Sequence, residues 1–158
     1  MVAIGGKVVL VTGGRRGLGS ALVDAALARG ASKVYSTARE RYTDARPGVV
    51  AVPLEVRDQA STAALADTVP DVDIVINNAS VIDLSSSLDL AAKKYDLMQD
   101  VNVRGTFMLS RAAVPILKDA ENPHILSLSP PLNITPRWLG AHTGYTLAKY
   151  GMTMATLG

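Results

Sequence analysis

The feature that most constrains this chain is a glycine-rich stretch that directly follows its first apolar run. Residues 7–11 read Lys-Val-Val-Leu-Val, a pattern typical of a buried β-strand. Residues 12–19 read Thr-Gly-Gly-Arg-Arg-Gly-Leu-Gly, and helical periodicity then continues to Gly30, a residue type that often follows a helix C-terminus. A strand, a glycine loop and a helix N-terminus together present N–H groups and a favourable dipole to an anion. The stretch therefore predicts a phosphate-binding loop.

Beyond this loop, strand-like apolar runs alternate with helix-like segments to the end of the chain. The apolar positions of the first helix are predicted to begin with Leu18 and Leu22. Further strands are predicted over residues 33–39, 49–56, 72–76 and 124–129. Strands that alternate with helices form a parallel sheet covered on both faces. The sequence therefore predicts an α/β, Rossmann-type doubly wound fold with five strands in the order 3-2-1-4-5.

Three more helices are predicted. Asp58 is expected to cap a short helix that runs through Ala66. A long helix is expected to follow the fourth strand, with its N-cap within residues 85–89 and an end near residue 117. Its predicted apolar face consists of Leu90, Leu97, Val101, Met108, Ala112 and Ile116. A last helix is predicted from about Ala141 to the end of the chain, after an irregular proline-rich loop.

Composition limits the classes of function that this chain can have. With 158 residues, 48% of them hydrophobic, the chain is expected to form a single domain over residues 1–158. Its net charge of +2, from scattered basic residues, argues against a nucleic-acid partner. The absence of cysteine excludes disulfides and thiolate metal sites, and no metal centre is predicted. No apolar run approaches the roughly 20 residues that span a bilayer, so we expect a cytoplasmic protein with no membrane partner.

A second chemical pattern lies near the C-terminus, where Tyr145 and Lys149 are separated by one helical turn. Residues at positions i and i+4 share a helix face, so the phenol and the ammonium group are expected to lie side by side. A nearby cation favours the ionised form of a phenol, whose ordinary pKa is about 10. The pair is therefore predicted to act as a general acid or base, although the same spacing also occurs in ordinary amphipathic helices.

Taken together, these motifs resemble those of the short-chain dehydrogenase/reductase family over nearly the whole chain. The matching motifs are the Thr-Gly-x-x-x-Gly-x-Gly pattern at 12–19, Asn-Asn-Ala at 77–79, Asn102 with Gly105, and Tyr145 with Lys149. The resemblance implies that Tyr145 exchanges the proton with the oxygen of a small carbonyl or alcohol substrate. It implies that Lys149 holds the nicotinamide ribose, that Asn102 anchors a water in a proton relay, and that Asn78 and Ala79 line the cofactor.

The resemblance extends to a set of cofactor-binding positions. The predicted cofactor-binding residues are Gly13, Arg15, Arg16, Gly17, Leu18, Gly19, Arg39, Glu55, Val56, Asn78, Ala79, Tyr145 and Lys149.

The choice between NADP(H) and NAD(H) is expected to depend on the end of the second strand. A carboxylate there would accept hydrogen bonds from the ribose hydroxyls of NAD. This chain instead has Arg39 at that point, with Arg16 in the glycine loop, and two guanidinium groups can bind a 2′-phosphate. The sequence therefore favours NADP(H). Glu40 would oppose this preference if the strand ended one residue later.

The resemblance also implies an active-site serine, but its position differs in this sequence. Counting back from the tyrosine places it at Leu132, whereas alignment on the fifth strand places it at Pro130. We predict that Ser129 takes the role, because a longer proline-rich loop can redirect its hydroxyl group. The alternative is Ser127, which lies on the same face of that strand as Ser129.

The second half of the chain resembles one subgroup, the hydroxysteroid-dehydrogenase-like proteins of the second type. The resemblance rests on Ser-Pro-Pro-Leu-Asn at 129–133 and Tyr-Thr-Leu-Ala-Lys-Tyr-Gly-Met at 145–152. Family members typically continue beyond this point with further strands, which the sequence lacks, so it is interpreted as C-terminally truncated. The leading hypothesis is an NADP-dependent oxidoreductase. The alternatives are a dinucleotide-binding module without turnover and a structural protein stable only as an oligomer.

Self-association is predicted from the apolar surfaces that a chain of this length leaves uncovered. These are the edge of the fifth strand and the outer faces of the last two long helices, including Met152, Met154 and Leu157. In the family such helices commonly pair across a two-fold axis. The sequence therefore predicts a homodimer or a homotetramer.

Overall fold

The protein, described here as a computed structural model over residues 3–129, 133 and 135–158, forms a parallel sheet covered by helices. Its five strands are β1 (Val8–Val11), β2 (Lys33–Ala38), β3 (Val49–Pro53), β4 (Ile74–Asn77) and β5 (His124–Ser127). They lie in the order β3-β2-β1-β4-β5, and every pair of neighbours is parallel. The predicted fold class and strand order are confirmed.

The helices of the described residues include a π-helical segment between two α-helices. They are α1 (Gly17–Ala28), α2 (Gln59–Ala63), α3 (Leu65–Thr68), α4 (Ala92–Met98), the π-helix (Gln99–Gly105), α5 (Thr106–Leu117), α6 (Pro136–Ala141) and α7 (Thr143–Leu157). Asp58 caps α2 as predicted, since its side chain accepts a hydrogen bond from the N–H of Ala60 at 2.9 Å. The last helix, predicted from about Ala141, is observed as α7, which begins at Thr143. The helix α6 was not predicted, and His142, whose backbone is not helical, separates it from α7.

Apolar side chains from alternate strand positions form two core layers, one on each face of the sheet. Val9 and Val11 pack with Val23 of α1 on one face. Leu10 and Val75 pack with Leu109 of α5 on the other. Because successive strand residues point to opposite faces, a strand buried on both sides needs a continuous apolar run, which is what residues 8–11 provide.

The buried faces of two helices differ from the predicted ones. Leu18 is 63% exposed, and α1 instead buries Gly19, Val23 and Ala26. The long helix begins at Ala92, after Ala91, and no side chain from 85–89 caps it.

Its most buried face lies one position further along than predicted. The buried residues are Met98, Val101, Asn102, Gly105, Thr106, Leu109, Ala113 and Leu117. The predicted Leu97, Ala112 and Ile116 only flank this face. The physical reason is that small and polar residues occupy its centre, and a search for apolar periodicity passes over them.

The connection between β2 and β3 contains no helix, although parallel strands are usually joined by one. Residues 39–48 cross as an irregular loop instead, and Arg46 fastens that loop to α1. Its guanidinium group donates to Ser20 Oγ at 3.1 Å and to the carboxylates of Asp24 and Asp44 at 2.8 and 2.5 Å. Arg46 thereby makes hydrogen bonds where a crossover helix would make packing contacts.

Candidate functional site

The loop between β1 and α1 requires glycine at several positions, for different reasons. Gly13 and Gly17 have φ angles of 66° and 56°, which favour glycine. A Cβ atom at Gly19 would collide with the carbonyl oxygen of Gly13 and with Asn78. A Cβ atom at Gly17 would meet nothing within 4 Å, and Leu18 beside it is exposed, so this side of the loop is open. The first N–H groups of α1 have no carbonyl oxygen of the helix to which they can donate. They face the open side of the loop, from which an anion can approach.

Thr12 and Asn78 join the glycine loop to the end of β4. The Thr12 hydroxyl oxygen accepts hydrogen bonds from the backbone N–H groups of Asn78 and Ala79, both at 2.9 Å. The Asn78 side chain donates to the carbonyl oxygen of Thr12 at 2.8 Å. The loop is therefore held in place from β4, and the two predicted residues Asn78 and Ala79 lie directly beside it.

The predicted basic residues lie around the open side of the loop. Arg16 precedes α1 in an extended conformation and is exposed. Arg39 is also exposed and directly follows β2, which ends at Ala38, one residue earlier than predicted. Arg15 is half-exposed and lies within 3.4 Å of the Glu40 carboxylate. Three guanidinium groups are thus available near the glycine loop, one of them in an ion pair.

Glu55 and Val56 follow β3, and neither side chain is directed only to the candidate site. Arg57 donates to the Glu55 carboxylate at 3.1 Å. Burial raises the pKa of that carboxyl, but the hydrogen bonds from Arg57 outweigh burial and leave its pKa below the ordinary value. Val56 is buried in the core, where a Cβ atom at Gly105 would come within 2.9 Å of its Cγ2 atom. The prediction that these two residues bind cofactor stays a prediction.

Tyr145 and Lys149 lie one turn apart on α7, beside the carboxyl end of β5. The Lys149 Nζ atom lies 5.9 Å from the centre of the Tyr145 ring and donates to the carbonyl oxygen of Leu128 at 2.9 Å. Lys149 is only 6% exposed, and burial lowers the pKa of its ammonium group.

The sequence-based expectation that Lys149 lowers the pKa of Tyr145 does not hold in this structure. Burial raises the pKa of the Tyr145 phenol above 10.0, because desolvation penalises the charged form and no stronger contact offsets it. Within the described ranges, no hydrogen bond reaches the Tyr145 hydroxyl group. The phenol therefore keeps its proton at neutral pH.

Asn102 is fully buried on the π-helix and is paired with the backbone of one residue. Its Oδ1 atom accepts from the N–H of Val81 and its Nδ2 atom donates to the carbonyl oxygen of Val81, both at 2.8 Å. These two hydrogen bonds hold the segment that follows β4 against the helix. The role of Asn102 as a water anchor stays a prediction.

Ser129 lies beyond the end of β5, and its hydroxyl group is directed to α7. It donates to the carbonyl oxygen of Lys149 at 2.8 Å and accepts from the Thr153 hydroxyl at 2.7 Å. Among the described residues, no hydrogen bond joins it to Tyr145. Pro130 and Leu132, the other predicted positions of the serine, lie outside the described residues. The alternative, Ser127, accepts from the Thr156 hydroxyl at 2.7 Å.

Three contacts near the site were not predicted from the sequence. Tyr42 lies under Arg15, with the guanidinium carbon 5.7 Å from the ring centre. Thr153 donates a hydrogen bond to Ser129, which follows β5, and Thr156 donates one to Ser127, the last residue of β5. Threonines at i and i+3 on the last helix were a usable signal, but nothing in the spacing indicated that Tyr42 would return to the glycine loop.

Two further classes of site have no support in the part of the chain that is described. No helix there combines the length and the apolar character needed to cross a membrane. No group of histidine, aspartate or glutamate side chains within those ranges is arranged to hold a metal ion.

The glycine loop, the tyrosine–lysine pair and the sheet topology define a dinucleotide-binding oxidoreductase fold, and comparison with known proteins agrees. The profile of the short chain dehydrogenase family matches residues 7–157. The chain therefore belongs to the short chain dehydrogenase family.

The relatives of this chain are longer than the chain itself. Hydroxysteroid dehydrogenase-like protein 2 of Homo sapiens is 40% identical to it over 98% of this chain and 42% of the relative. A Mycobacterium thermoresistibile short chain dehydrogenase is 36% identical with a TM-score of 0.84, over 96% of this chain and 61% of that one. A Burkholderia cenocepacia short chain dehydrogenase in complex with NADP is 31% identical with a TM-score of 0.88, over 99% and 66%. The predicted resemblance to the family and to this subgroup is confirmed.

Proposed function

We propose that this chain is an NADP(H)-dependent oxidoreductase that interconverts a carbonyl compound and an alcohol, with Tyr145 as the proton donor or acceptor. The observation that carries this proposal is the placement of a half-buried phenol next to a buried ammonium group, Lys149, at the carboxyl end of β5. In open parallel sheets this edge is where ligands bind. The family to which the chain belongs supports the same class of reaction.

The loop residues fit a dinucleotide. Gly13 and Gly19 let the loop pack against Asn78, while Gly17 leaves its outer side open to a pyrophosphate. Bound there, the nicotinamide would supply or accept the hydride. The protonated Tyr145 phenol donates its proton to the developing alkoxide during reduction and accepts it back during oxidation. Lys149 holds the ribose, and its buried positive charge favours the phenolate once the proton has left.

Asn102 and Ser129 contribute to this chemistry by positioning the backbone segments next to the site. Asn102 binds the backbone of Val81 and so shapes the segment between β4 and α4 that faces the site. Ser129 contacts α7 at the carbonyl of Lys149, so we assign it a positioning role in addition to the catalytic role predicted for it.

NADP(H) is proposed over NAD(H) because two exposed arginines, Arg15 and Arg16, lie in the glycine loop and a third, Arg39, directly follows β2. A 2′-phosphate carries two negative charges and accepts paired hydrogen bonds from guanidinium groups. Arg16 and Arg39 are exposed and within the predicted site, and Arg15, directly before Arg16 in the glycine loop, pairs with Glu40. The relative from Burkholderia cenocepacia, which contains NADP, supports this choice by analogy.

Replacement of Tyr145 by phenylalanine tests the reaction. We expect Tyr145→Phe to retain NADPH binding by calorimetry and to lose about 10²-fold or more of carbonyl reduction, since only the titrating hydroxyl group is removed. Arg39→Asp should weaken NADPH by about 1.5–3 kcal/mol, the scale of a charged hydrogen bond, and leave NADH nearly unchanged. Activity of Tyr145→Phe within a few-fold of wild type would refute its role, and equal losses for both cofactors would remove Arg39 from the phosphate site.

A second candidate is a dinucleotide-binding module that holds cofactor without turnover. The observation that favours it is that the Ser129 hydroxyl group is engaged by α7, so no serine among the described residues contacts the Tyr145 hydroxyl group. NADPH binding without reduction of any carbonyl in a broad panel would establish this alternative.

We also propose a homodimer or homotetramer built on the helices α5 and α7. Phe107 and Val114 are 50% and 43% exposed on α5, while Met154 and Leu157 are 67% and 77% exposed on α7. Met152, which was predicted to belong to this surface, is instead fully buried. Burial of such patches stabilises a dimer by about 25 cal/mol per Å². Light scattering at micromolar concentration should give at least twice the mass of one chain, and Met154→Lys should lower it to that of a monomer.

A further inference from the structure

Resting on the proposed function, we propose that Glu40 and Tyr42 together set how strongly this site prefers NADP(H) to NAD(H). In this arrangement Tyr42 holds Arg15 beside the glycine loop, and Glu40 competes with the 2′-phosphate for the same guanidinium group. We call Arg15, Glu40 and Tyr42 the selectivity cluster. None of the three matches a family motif in the sequence except through the position of Arg15.

Tyr42 is a rigid platform because its hydroxyl group is tied to β2. That group donates to the carbonyl oxygen of Ser36 at 2.8 Å and lies 2.5 Å from the Ser36 hydroxyl. Ser36 is itself fully buried, and a Cβ atom at Gly14 would collide with its Oγ atom. The same serine therefore fixes the ring of Tyr42 and touches the glycine loop, so the distance between ring and loop is set by β2.

Arg15 is held on this platform in a position from which it can bind a phosphate. Its guanidinium carbon lies 5.7 Å from the centre of the Tyr42 ring, within the range of a cation–π interaction. Stacking on a ring leaves the edge of the guanidinium plane, with its N–H groups, available for an anion. In this structure that edge is used by Glu40, whose Oε2 atom lies 3.4 Å from Nη1 of Arg15.

The pair between Arg15 and Glu40 is weak enough to be displaced. The two side chains are 51% and 82% exposed, and an exposed ion pair contributes little because water screens it. A 2′-phosphate brings more charge and more acceptor oxygens, so it replaces the carboxylate on Arg15. The displaced carboxylate stays attached to the same loop, where it repels the phosphate.

The effect on the two cofactors is opposite in sign. NAD(H) has a 2′-hydroxyl group in place of the phosphate, and a carboxylate near that point can accept its hydrogen bond. Glu40 therefore costs affinity for NADP(H) and costs none for NAD(H). The wild-type chain is thus less selective than its arginines alone would make it.

The test replaces the charge of Glu40 and measures both cofactors. Titration calorimetry of Glu40→Gln should show NADPH binding about three- to tenfold tighter than wild type, with NADH unchanged or weaker. The matched control is Glu121→Gln, which removes another exposed carboxylate, 3.1 Å from Lys7, on a different part of the surface. It should change neither affinity by more than twofold.

A second variant tests the platform. Tyr42→Leu removes the ring and should weaken NADPH at least threefold while NADH changes less, and Tyr42→Phe, which keeps the ring, should lose less than Tyr42→Leu. Should wild type bind neither cofactor, the proposed function fails and this inference with it. Should wild type prefer NADPH while Glu40→Gln leaves the ratio of the two affinities unchanged, only this inference is overturned. The exposed position of Glu40 keeps that variant informative even if Tyr42→Leu does not fold.

Discussion

The hydroxyl group of Ser129 donates a hydrogen bond to the backbone carbonyl oxygen of Lys149 at 2.8 Å. The Ser129 hydroxyl also accepts a hydrogen bond from the Thr153 hydroxyl. Two residues earlier, the Ser127 hydroxyl accepts one from the Thr156 hydroxyl, and both distances are 2.7 Å. Alternate residues of a strand point to one face, and residues three apart on a helix share a side. The two serine–threonine hydrogen bonds therefore connect the end of β5 to α7. They contribute to the position of α7, the helix that carries Tyr145, on the sheet.

Removal of the hydrogen bond between Ser129 and Thr153 should destabilise the contact between α7 and the end of β5. We expect Ser129→Ala to reduce the free energy of unfolding by about 1–2 kcal/mol, because the Lys149 carbonyl and the Thr153 hydroxyl each lose a partly buried partner. Urea unfolding measures this loss, and a double-mutant cycle with Thr153→Val should show coupling of about 0.5–1.5 kcal/mol. Thr68→Val is the matched control, since the Thr68 hydroxyl donates to the carbonyl oxygens of Ala64 and Leu65 within its own helical turn. Additive effects of Ser129→Ala and Thr153→Val on the free energy of unfolding would show that the hydrogen bond between the two side chains does not stabilise the fold.

Asn102 offers a prediction in which pH distinguishes between two causes of instability. Asn102→Asp keeps an acceptor for the N–H of Val81 but loses the donor to its carbonyl oxygen, and it places a carboxyl where exposure is zero. We expect a loss of at least about 3 kcal/mol at neutral pH, the scale of an uncompensated buried charge. Burial raises the pKa of such a carboxyl, and its protonated form donates to Val81 again.

The sign of the pH dependence follows from that raised pKa. The protonated carboxyl is the form that suits the folded state, so its contribution is fully present below the ordinary pKa of about 4 and is lost as pH rises. Urea unfolding of Asn102→Asp and wild type between acid and neutral pH should therefore show a gap that narrows as the pH falls. A gap that is the same at every pH would show that shape, and not charge, causes the loss.

The fold was predictable because its signals are local and repeated. The apolar run before Thr12 and the cap at Asp58 each depend on neighbours in sequence, and both are observed. The buried face of the long helix was predicted wrongly because of the residues at its centre. Its centre is built on Asn102 and Gly105, and a polar amide is buried there only because Val81 satisfies it from a distant segment.

The candidate site was predictable in its motifs but not in its contacts. Tyr145 and Lys149 were found from spacing, yet the sequence gives no measure of burial, which decides the direction of the pKa of the phenol. The partner of Ser129 lies on another element, at Thr153, and no local pattern connects the two. Long-range contacts of this kind follow only from the packing of a complete sheet and its helices.

Acid should reveal the role of Arg46 in the crossover between β2 and β3. The hydrogen bond from Arg46 holds the pKa of the Asp44 carboxyl below its ordinary value of 3.8. A carboxyl with a lowered pKa stabilises the folded state above its ordinary pKa and loses that contribution as the pH falls through the lowered value.

The comparison that isolates this effect is wild type against Asp44→Asn. We expect wild type to be more stable by about 1–2 kcal/mol at neutral pH, a value reduced by the partial exposure of Arg46. The difference should stay constant down to about pH 5 and shrink below about pH 4. Urea unfolding across this range measures it, with the exposed Asp119→Asn as the control. A difference that grows in acid would contradict the assigned role of the pair.

In the proposed reaction, the pKa of the Tyr145 phenol determines the pH range in which carbonyl reduction can proceed. Burial raises the pKa of the phenol above 10.0, and Lys149, 5.9 Å from the ring centre, is held by the carbonyl of Leu128. The midpoint of the difference in tyrosinate absorbance between wild type and Tyr145→Phe should therefore lie at a higher pH than that of an ordinary tyrosine, in the protein without cofactor. Since reduction needs the protonated phenol, its rate should not fall with rising pH until the pH is well above neutral. A rate that already declines just above neutral pH, together with early tyrosinate absorbance, would show that the charge of Lys149 prevails over burial.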